Sequence, residues 1–248
     1  MSEERTEAST AESAAAGPAS YFAQTRDLGN SLLLVLPLLL VYEVGLFLTR
    51  GKTINGVDFV TVVLLRQWGV RGLLVFNGLL FLAGVLGYLY ARHKGRFDPR
   101  VVVGVLLEAT VYALLLGTVI LFVMSYLPVP PGLQTGHAEL GLFGRVFVSL
   151  GAGVNEELVF RLGLFSLLTW ALGKFVPERA AALGAVVFSS FLFSLAHYAG
   201  PESFRLFSFI FRFLAGALFC LIFAVRGFAI AVYTHAIYDI YVLVFSHE

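Results

Sequence analysis

Residues 154–165, VNEELVFRLGLF, place Glu156, Glu157 and Arg161 in a run made mainly of Leu, Val and Phe. Each ionisable group in an apolar helix costs ~2.5–3.5 kcal/mol at the centre of a bilayer. The 15 Leu, Val and Phe residues of 143–172 return only ~0.3–0.6 kcal/mol apiece. The two sums nearly cancel, so this helix does not sit alone in lipid. It needs a bundle whose other members satisfy its charges, and a charge cluster inside the membrane is by default a functional site.

Composition agrees with a membrane setting. The 248 residues are 58% hydrophobic and 13% charged, with a mean hydropathy of +0.86. An ordinary soluble domain is ~45–50% apolar and ~25% charged. The expected fold is therefore all-α: a polytopic membrane bundle of seven to eight transmembrane helices. No basic block points to nucleic acid, and the formal net charge is only +1. One cysteine, Cys220, excludes a disulfide framework and a cysteine metal site. Residues 1–30, rich in Glu, Ala, Ser and Thr, read as a disordered tail with no secretory-signal pattern. Residues 31–248 then form one transmembrane domain.

Apolar runs at 31–49, 72–91, 101–127, 143–172, 180–198, 204–225 and 228–245 are the expected spans. Residues 53–71, broken by Asp58, Arg66 and Gln67, read as an interfacial or half-inserted helix, with an eighth span as the alternative. PVPPG at 128–132 stops the third span. The fourth would be ~45 Å long as a helix, against a ~30 Å hydrocarbon core. Gly151-Ala152-Gly153 is the expected break in it, or a point of close helix approach. Glu43, Glu108 and Arg212 also fall inside spans, and Arg212 is expected to pair with Glu108 or Glu43. The balance of basic residues favours an inside N-terminus, and a bacterial inner membrane is the expected location. The side on which the 128–142 loop lies would decide which leaflet the site faces.

Three late spans carry polar residues at helical spacing. Glu157 and Arg161 are i, i+4 and pair on one face, while Glu156 is turned ~100° away and is expected to face a cavity. Phe193 and His197 are i, i+4 on the fifth span, and His235 and Asp239 on the seventh. Convergence of these groups between three helices would assemble the means to activate a water and stabilise an oxyanion. At 1.5 Å per residue, Glu156 and His197 lie at similar depths, ~25 and ~24 Å from one membrane side. His235 is only ~12 Å from Arg226 by the same count. It meets the others only if the Arg226-Gly227 turn is sunk below the other helix ends, or if the last span is offset.

In this order, Glu156-Glu157-x-x-x-Arg161, Phe193-x-x-x-His197 and His235-x-x-x-Asp239 resemble the CAAX-protease and bacteriocin-processing family, also called the Abi family of intramembrane glutamic proteases. The resemblance covers residues 141–245. It implies an endopeptidase acting on a protein or peptide that is lipidated or membrane-anchored: a prenylated CAAX-like tail, or a C-terminal sorting peptide. It further implies Glu156 as general base with help from His197, and His235 with Asp239 beside it as oxyanion stabiliser. Glu157, Arg161 and Phe193 would support the site, and no covalent acyl-enzyme or cofactor would be needed. The family commonly has Asn where this chain has Asp239; an ionised carboxylate cannot donate a hydrogen bond, so Asp239 would orient and charge His235, or be protonated.

Several alternatives stand beside that reading. Zinc is one, because Glu and two His are zinc ligand types, although His-Glu-x-x-His is missing. A serine mechanism would draw on Ser189, Ser190 or Ser194 near His197. A non-catalytic role, in bacteriocin self-immunity or partner binding, and a transporter using buried charges as a relay complete the set.

Overall fold

The computed structural model describes residues 20–94, 97–130, 140–199 and 202–245. In chain order the helices are α1 (Tyr21–Arg26), α2 (Leu28–Leu48), α3 (Phe59–His93), α4 (Val101–Met124) and α5 (Leu142–Glu157). A π-helical segment (Leu158–Phe165), α6 (Ser166–Leu172), α7 (Glu178–Ala196) with a 3-10 turn (His197–Ala199), α8 (Leu206–Arg226) and α9 (Phe228–Phe245) follow. No strand occurs among the described residues. Among the described residues, five helices are long and apolar enough to cross a membrane: α2, α3, α4, α7 with its 3-10 turn, and α8. The chain is an all-α, multi-pass membrane bundle.

Local signals explain most boundaries. Asp27 caps α2, its side chain accepting the Asn30 N–H at 2.8 Å, and Asp58 caps α3 through the Thr61 N–H at 3.0 Å. Residues 20–30, assigned to the tail on composition, instead form α1 and the first turn of α2; residues 1–19 lie outside the described residues. The interfacial helix of 53–71 and the span of 72–91 are one element, α3, kinked at Gly69, where φ 62° and ψ −158° interrupt the helical backbone. Of the 128–142 loop, 131–139 lie outside the described residues.

The fourth span runs through α5, the π segment and α6 without a break at Gly151-Ala152-Gly153. Those small residues serve close approach instead. A Cβ on Gly153 would lie 2.9 Å from the Val232 carbonyl of α9, and one on Gly151 would collide with the Tyr42 ring of α2. Lipid supplies no hydrophobic drive between helices, so small residues that let backbones approach are how such interfaces gain dispersion energy. The irregularity falls later, in the π segment, where the hydrogen-bond ladder loosens. Ser189 of α7 donates to the Phe160 carbonyl at 2.8 Å and Ser166 to the Arg161 carbonyl at 3.1 Å.

α9 is the centre of the bundle, packed against α5, α4, α2 and α8. Ala229, Ile230, Ala231 and Val232 are fully buried. At the α8–α9 turn, Arg226 reaches Glu108 inside α4 and not at its end. Arg226 forms a bidentate pair with Glu108 of α4, Nη2 to Oε2 being 2.8 Å, and Tyr21 of α1 donates to the same Oε2 at 2.6 Å. Gly227 holds φ 95°, and a Cβ built on it would collide with the Thr25 carbonyl, so no side chain fits. α1 thus packs over the turn at Gly227. The expected partners of Arg212 need correction: it pairs with Glu202, Nη1 to Oε1 at 2.9 Å. Glu108 is taken by Arg226, and Glu43 accepts from Asn77 at 3.1 Å and Thr61 at 3.4 Å.

Candidate active site

Four helices bring the seven singled-out side chains together. The C-terminal end of α5 supplies Glu156 and Glu157, and the π segment supplies Arg161. The end of α7 supplies Phe193, with His197 opening the 3-10 turn, and α9 supplies His235 and Asp239. Glu157 and Arg161 are sealed from solvent, at 0% and 1% exposure, and pair at 3.0 Å. Arg161 lies against two aromatic rings, 4.2 Å from the centroid of Phe193 and 5.1 Å from that of Phe219. Its Nη2 also donates to the Gly216 carbonyl at 3.4 Å. The buried guanidinium is held mainly by the Glu157 ion pair and the two rings, since its Nε and Nη1 have no hydrogen-bond partner among the described residues.

Glu157 has a second task that helical spacing does not reveal. Its Oε1 accepts from His235 Nδ1 at 2.7 Å. A carboxylate accepts, so Nδ1 carries the proton and the ring's free edge, Nε2, turns toward Glu156. Phe219 stacks on the imidazole, with centroids 4.5 Å apart and planes 19° apart. His197 is fixed in the same manner. Its Nδ1 donates to the Phe193 carbonyl at 2.9 Å, which leaves Nε2 facing Glu156. The Phe193 ring meets both imidazoles edge-on.

Glu156 occupies the gap between them. Its Oε2 is 3.9 Å from His197 Nε2 and 3.8 Å from His235 Nε2. Those separations are too long for direct hydrogen bonds and have the span of a bridged contact. Oε2 has no hydrogen-bond partner among the described residues. Oε2 itself is buried, while the Glu156 residue lines a cavity of about 470 Å³ walled by Val148, Phe160, Phe211, Phe219 and Tyr238, with Glu202 and Arg212 on its lining. Asp239 is a quarter exposed, and its Oδ2 is 3.5 Å from His235 Nε2.

Two contributors escaped the sequence reading. Asn55, in the α2–α3 connection, donates from Nδ2 to Glu156 Oε1 at 2.9 Å. Phe219, on α8, orients His235. Nothing in the spacing marks either one; Asn55-Gly56 reads as a turn, and Phe219 is one Phe among 24. Ser189 and Ser194 spend their hydroxyls on the Phe160 and Phe209 carbonyls, the latter at 2.7 Å, and so tie helices together. Among the described residues, no group of three or more His, Cys, Asp or Glu side chains has the spacing to hold a metal ion.

The seven clustered side chains lie between residues 156 and 239, and residues 138–241 match one family model. The family is Rce1-like, described as type II CAAX prenyl endopeptidase Rce1-like. It is the family suspected from the three motifs. A CAAX-type membrane protease is what it implies, with a peptide or protein substrate met at the membrane. The match covers every motif residue and begins well after Asn55. Comparison with curated proteins returned no match, and neither did comparison with solved structures.

Proposed function

We propose that this protein is a glutamic-type endopeptidase that hydrolyses a peptide bond near the membrane with a water activated by Glu156. The substrate is a prenylated CAAX-like tail or a membrane-anchored C-terminal peptide. The observation that carries the reading is the position of Glu156 Oε2, buried without a hydrogen-bond partner and within 4 Å of both imidazole Nε2 atoms, on a residue that lines the cavity. A water held there would lie within reach of a carboxylate oxygen and of the bare Nε2 of His197.

Glu156 takes a proton from that water as its oxygen attacks the scissile carbonyl, and His197 assists by accepting from the same water. The developing oxyanion needs a donor. Nδ1 of His235 is committed to Glu157, so His235 acts there through Nε2–H, as the imidazolium. Asp239 orients and charges that ring. When the tetrahedral intermediate collapses, Glu156 returns its proton to the leaving amine, and no acyl-enzyme forms. The protease domain covers 31–248, with the catalytic core at about 141–245.

The test is cleavage of prenylated and unprenylated C-terminal peptides by the purified chain in detergent. Glu156→Ala, His197→Ala and His235→Ala should each lose processing. If all three process as well as the unmodified protein, the assignment is wrong. A strong chelator should leave the rate unchanged; loss of activity that zinc restores would favour the metal reading.

A further inference from the structure

The α2–α3 connection reaches the site from the N-terminal part of the chain, well outside the matched stretch. Ile54, Asn55, Gly56 and Val57 line the same cavity as Glu156. Asn55 is buried, its backbone is held by Tyr42, and the Val57 N–H settles which way its side-chain amide faces. Its own N–H donates to the Tyr42 hydroxyl at 3.0 Å, and its Oδ1 accepts from the Val57 N–H at 3.0 Å. With Oδ1 occupied by a donor, Nδ2 is the atom turned to Glu156 Oε1, at 2.9 Å. Tyr42 is held in turn: its hydroxyl donates to Asp58 Oδ2 at 2.8 Å, while Asp58 Oδ1 caps α3. Its ring lies on Gly151, five residues before Glu156 on α5.

We infer that Asn55 is a positioning residue for the water-activating carboxylate. One oxygen of Glu156 is committed to the amide. The carboxylate plane is thereby fixed, and the other oxygen, Oε2, is left without a partner between the two imidazoles. Without the donor, the Glu156 side chain is free to rotate about its terminal torsion, which is broad and roughly two-fold. Either oxygen could then turn to the water, at any tilt. The α2–α3 connection is therefore part of the catalytic apparatus, although no motif marks it. This inference rests on the reading of Glu156 as the base.

Asn55→Asp isolates the interaction, since it keeps the shape and the acceptor for Val57 but replaces the Nδ2 donor with a second carboxylate. In the full-length protein it should lower kcat about 10–100-fold, the usual effect of losing a group that orients a catalytic ligand, while KM stays within about threefold. Thermal unfolding supplies an independent readout. Asn55→Asp should lower the midpoint in the wild-type background, where two carboxylates meet. It should not do so in a Glu156→Gln background, where the glutamine amide can donate to the new carboxylate. A kcat within threefold of wild type overturns the inference. So does a KM that rises as far as kcat falls, or an equal loss of midpoint in the two backgrounds. Should Asn55→Asp fail to fold alone, its folding in the Glu156→Gln background supports the contact, and failure in both overturns it. If Glu156→Gln itself still cleaves, the base assignment fails, whereas the thermal coupling still reports on Asn55.

Discussion

Glu157 Oε1 lies 2.7 Å from His235 Nδ1, joining α5 to α9 through a fully buried carboxylate. The same oxygen is 3.0 Å from Arg161 Nη1. The adjacent glutamates therefore do different work. Glu157 faces inward, where it neutralises a guanidinium and aims an imidazole. Glu156, one residue earlier and turned by a helical step, faces the cavity.

Their substitutions should separate accordingly. Glu157→Gln strands Arg161 in the interior and should cost about 3–5 kcal/mol of stability, the usual penalty for breaking a buried pair. Glu156→Gln should abolish cleavage and leave the unfolding midpoint close to wild type. Unfolding scans and peptide cleavage on the two purified variants check this; equal destabilisation by both would contradict the division of labour.

The Glu108–Arg226 pair fixes the depth of the α8–α9 turn and, through α9, that of His235. Glu108→Gln should destabilise the protein by about 1.5–3 kcal/mol, the range for losing hydrogen bonds to a charged group, and reduce cleavage, because His235 shifts relative to Glu156. Replacing both partners, as Glu108→Leu with Arg226→Met, should recover stability relative to either single change. Unfolding midpoints of the four proteins form the cycle, and additive losses would show that the pair does not act as a unit.

At Gly153 a single methyl has no room against the Val232 backbone. Gly153→Ala should cost about 1–3 kcal/mol as overpacking and lower kcat, since the α5–α9 spacing sets the distance from Glu156 to His235. Gly78→Ala on α3, where nothing lies within 4 Å of the added carbon, is the matched control and should leave kcat unchanged. Cleavage rates and midpoints of both variants decide the matter.

Asp239 is close enough to steer His235 but, when ionised, cannot donate to an oxyanion. Asp239→Ala should lower kcat about 10–100-fold, the range for losing an orienting partner. Asp239→Asn should do better, because its amide can donate where the charge is lost. Equal losses in the two variants would show that the charge alone matters.

Much of the site was legible before any coordinates. The i, i+4 spacings of Glu157 with Arg161, Phe193 with His197 and His235 with Asp239 are local, and helix geometry turns them directly into shared faces. The orientation of Glu156 away from Glu157 follows from the same rotation. Arg212 shows where that logic stops. Its partner Glu202 lies beyond the end of α7, and no periodicity links a helix to the loop beside it. Gly151-Ala152-Gly153 could mean a break or a close approach, and only the Tyr42 ring and the Val232 carbonyl decide for the approach.

The amino-acid sequence by itself determined that the chain is a helical membrane bundle. Apolar runs of bilayer length have no other way to satisfy their backbone, and the charges of 154–165 have to be met by neighbouring helices. Only the tertiary structure decided which neighbours meet them. The turn under α1 is tied to α4 by Arg226 and Glu108, His235 of α9 meets Glu157, and Asn55 arrives from a connection some hundred residues upstream. Those contacts depend on how deep each helix sits and how closely the helices pack, and neither quantity is encoded in the period of a single helix.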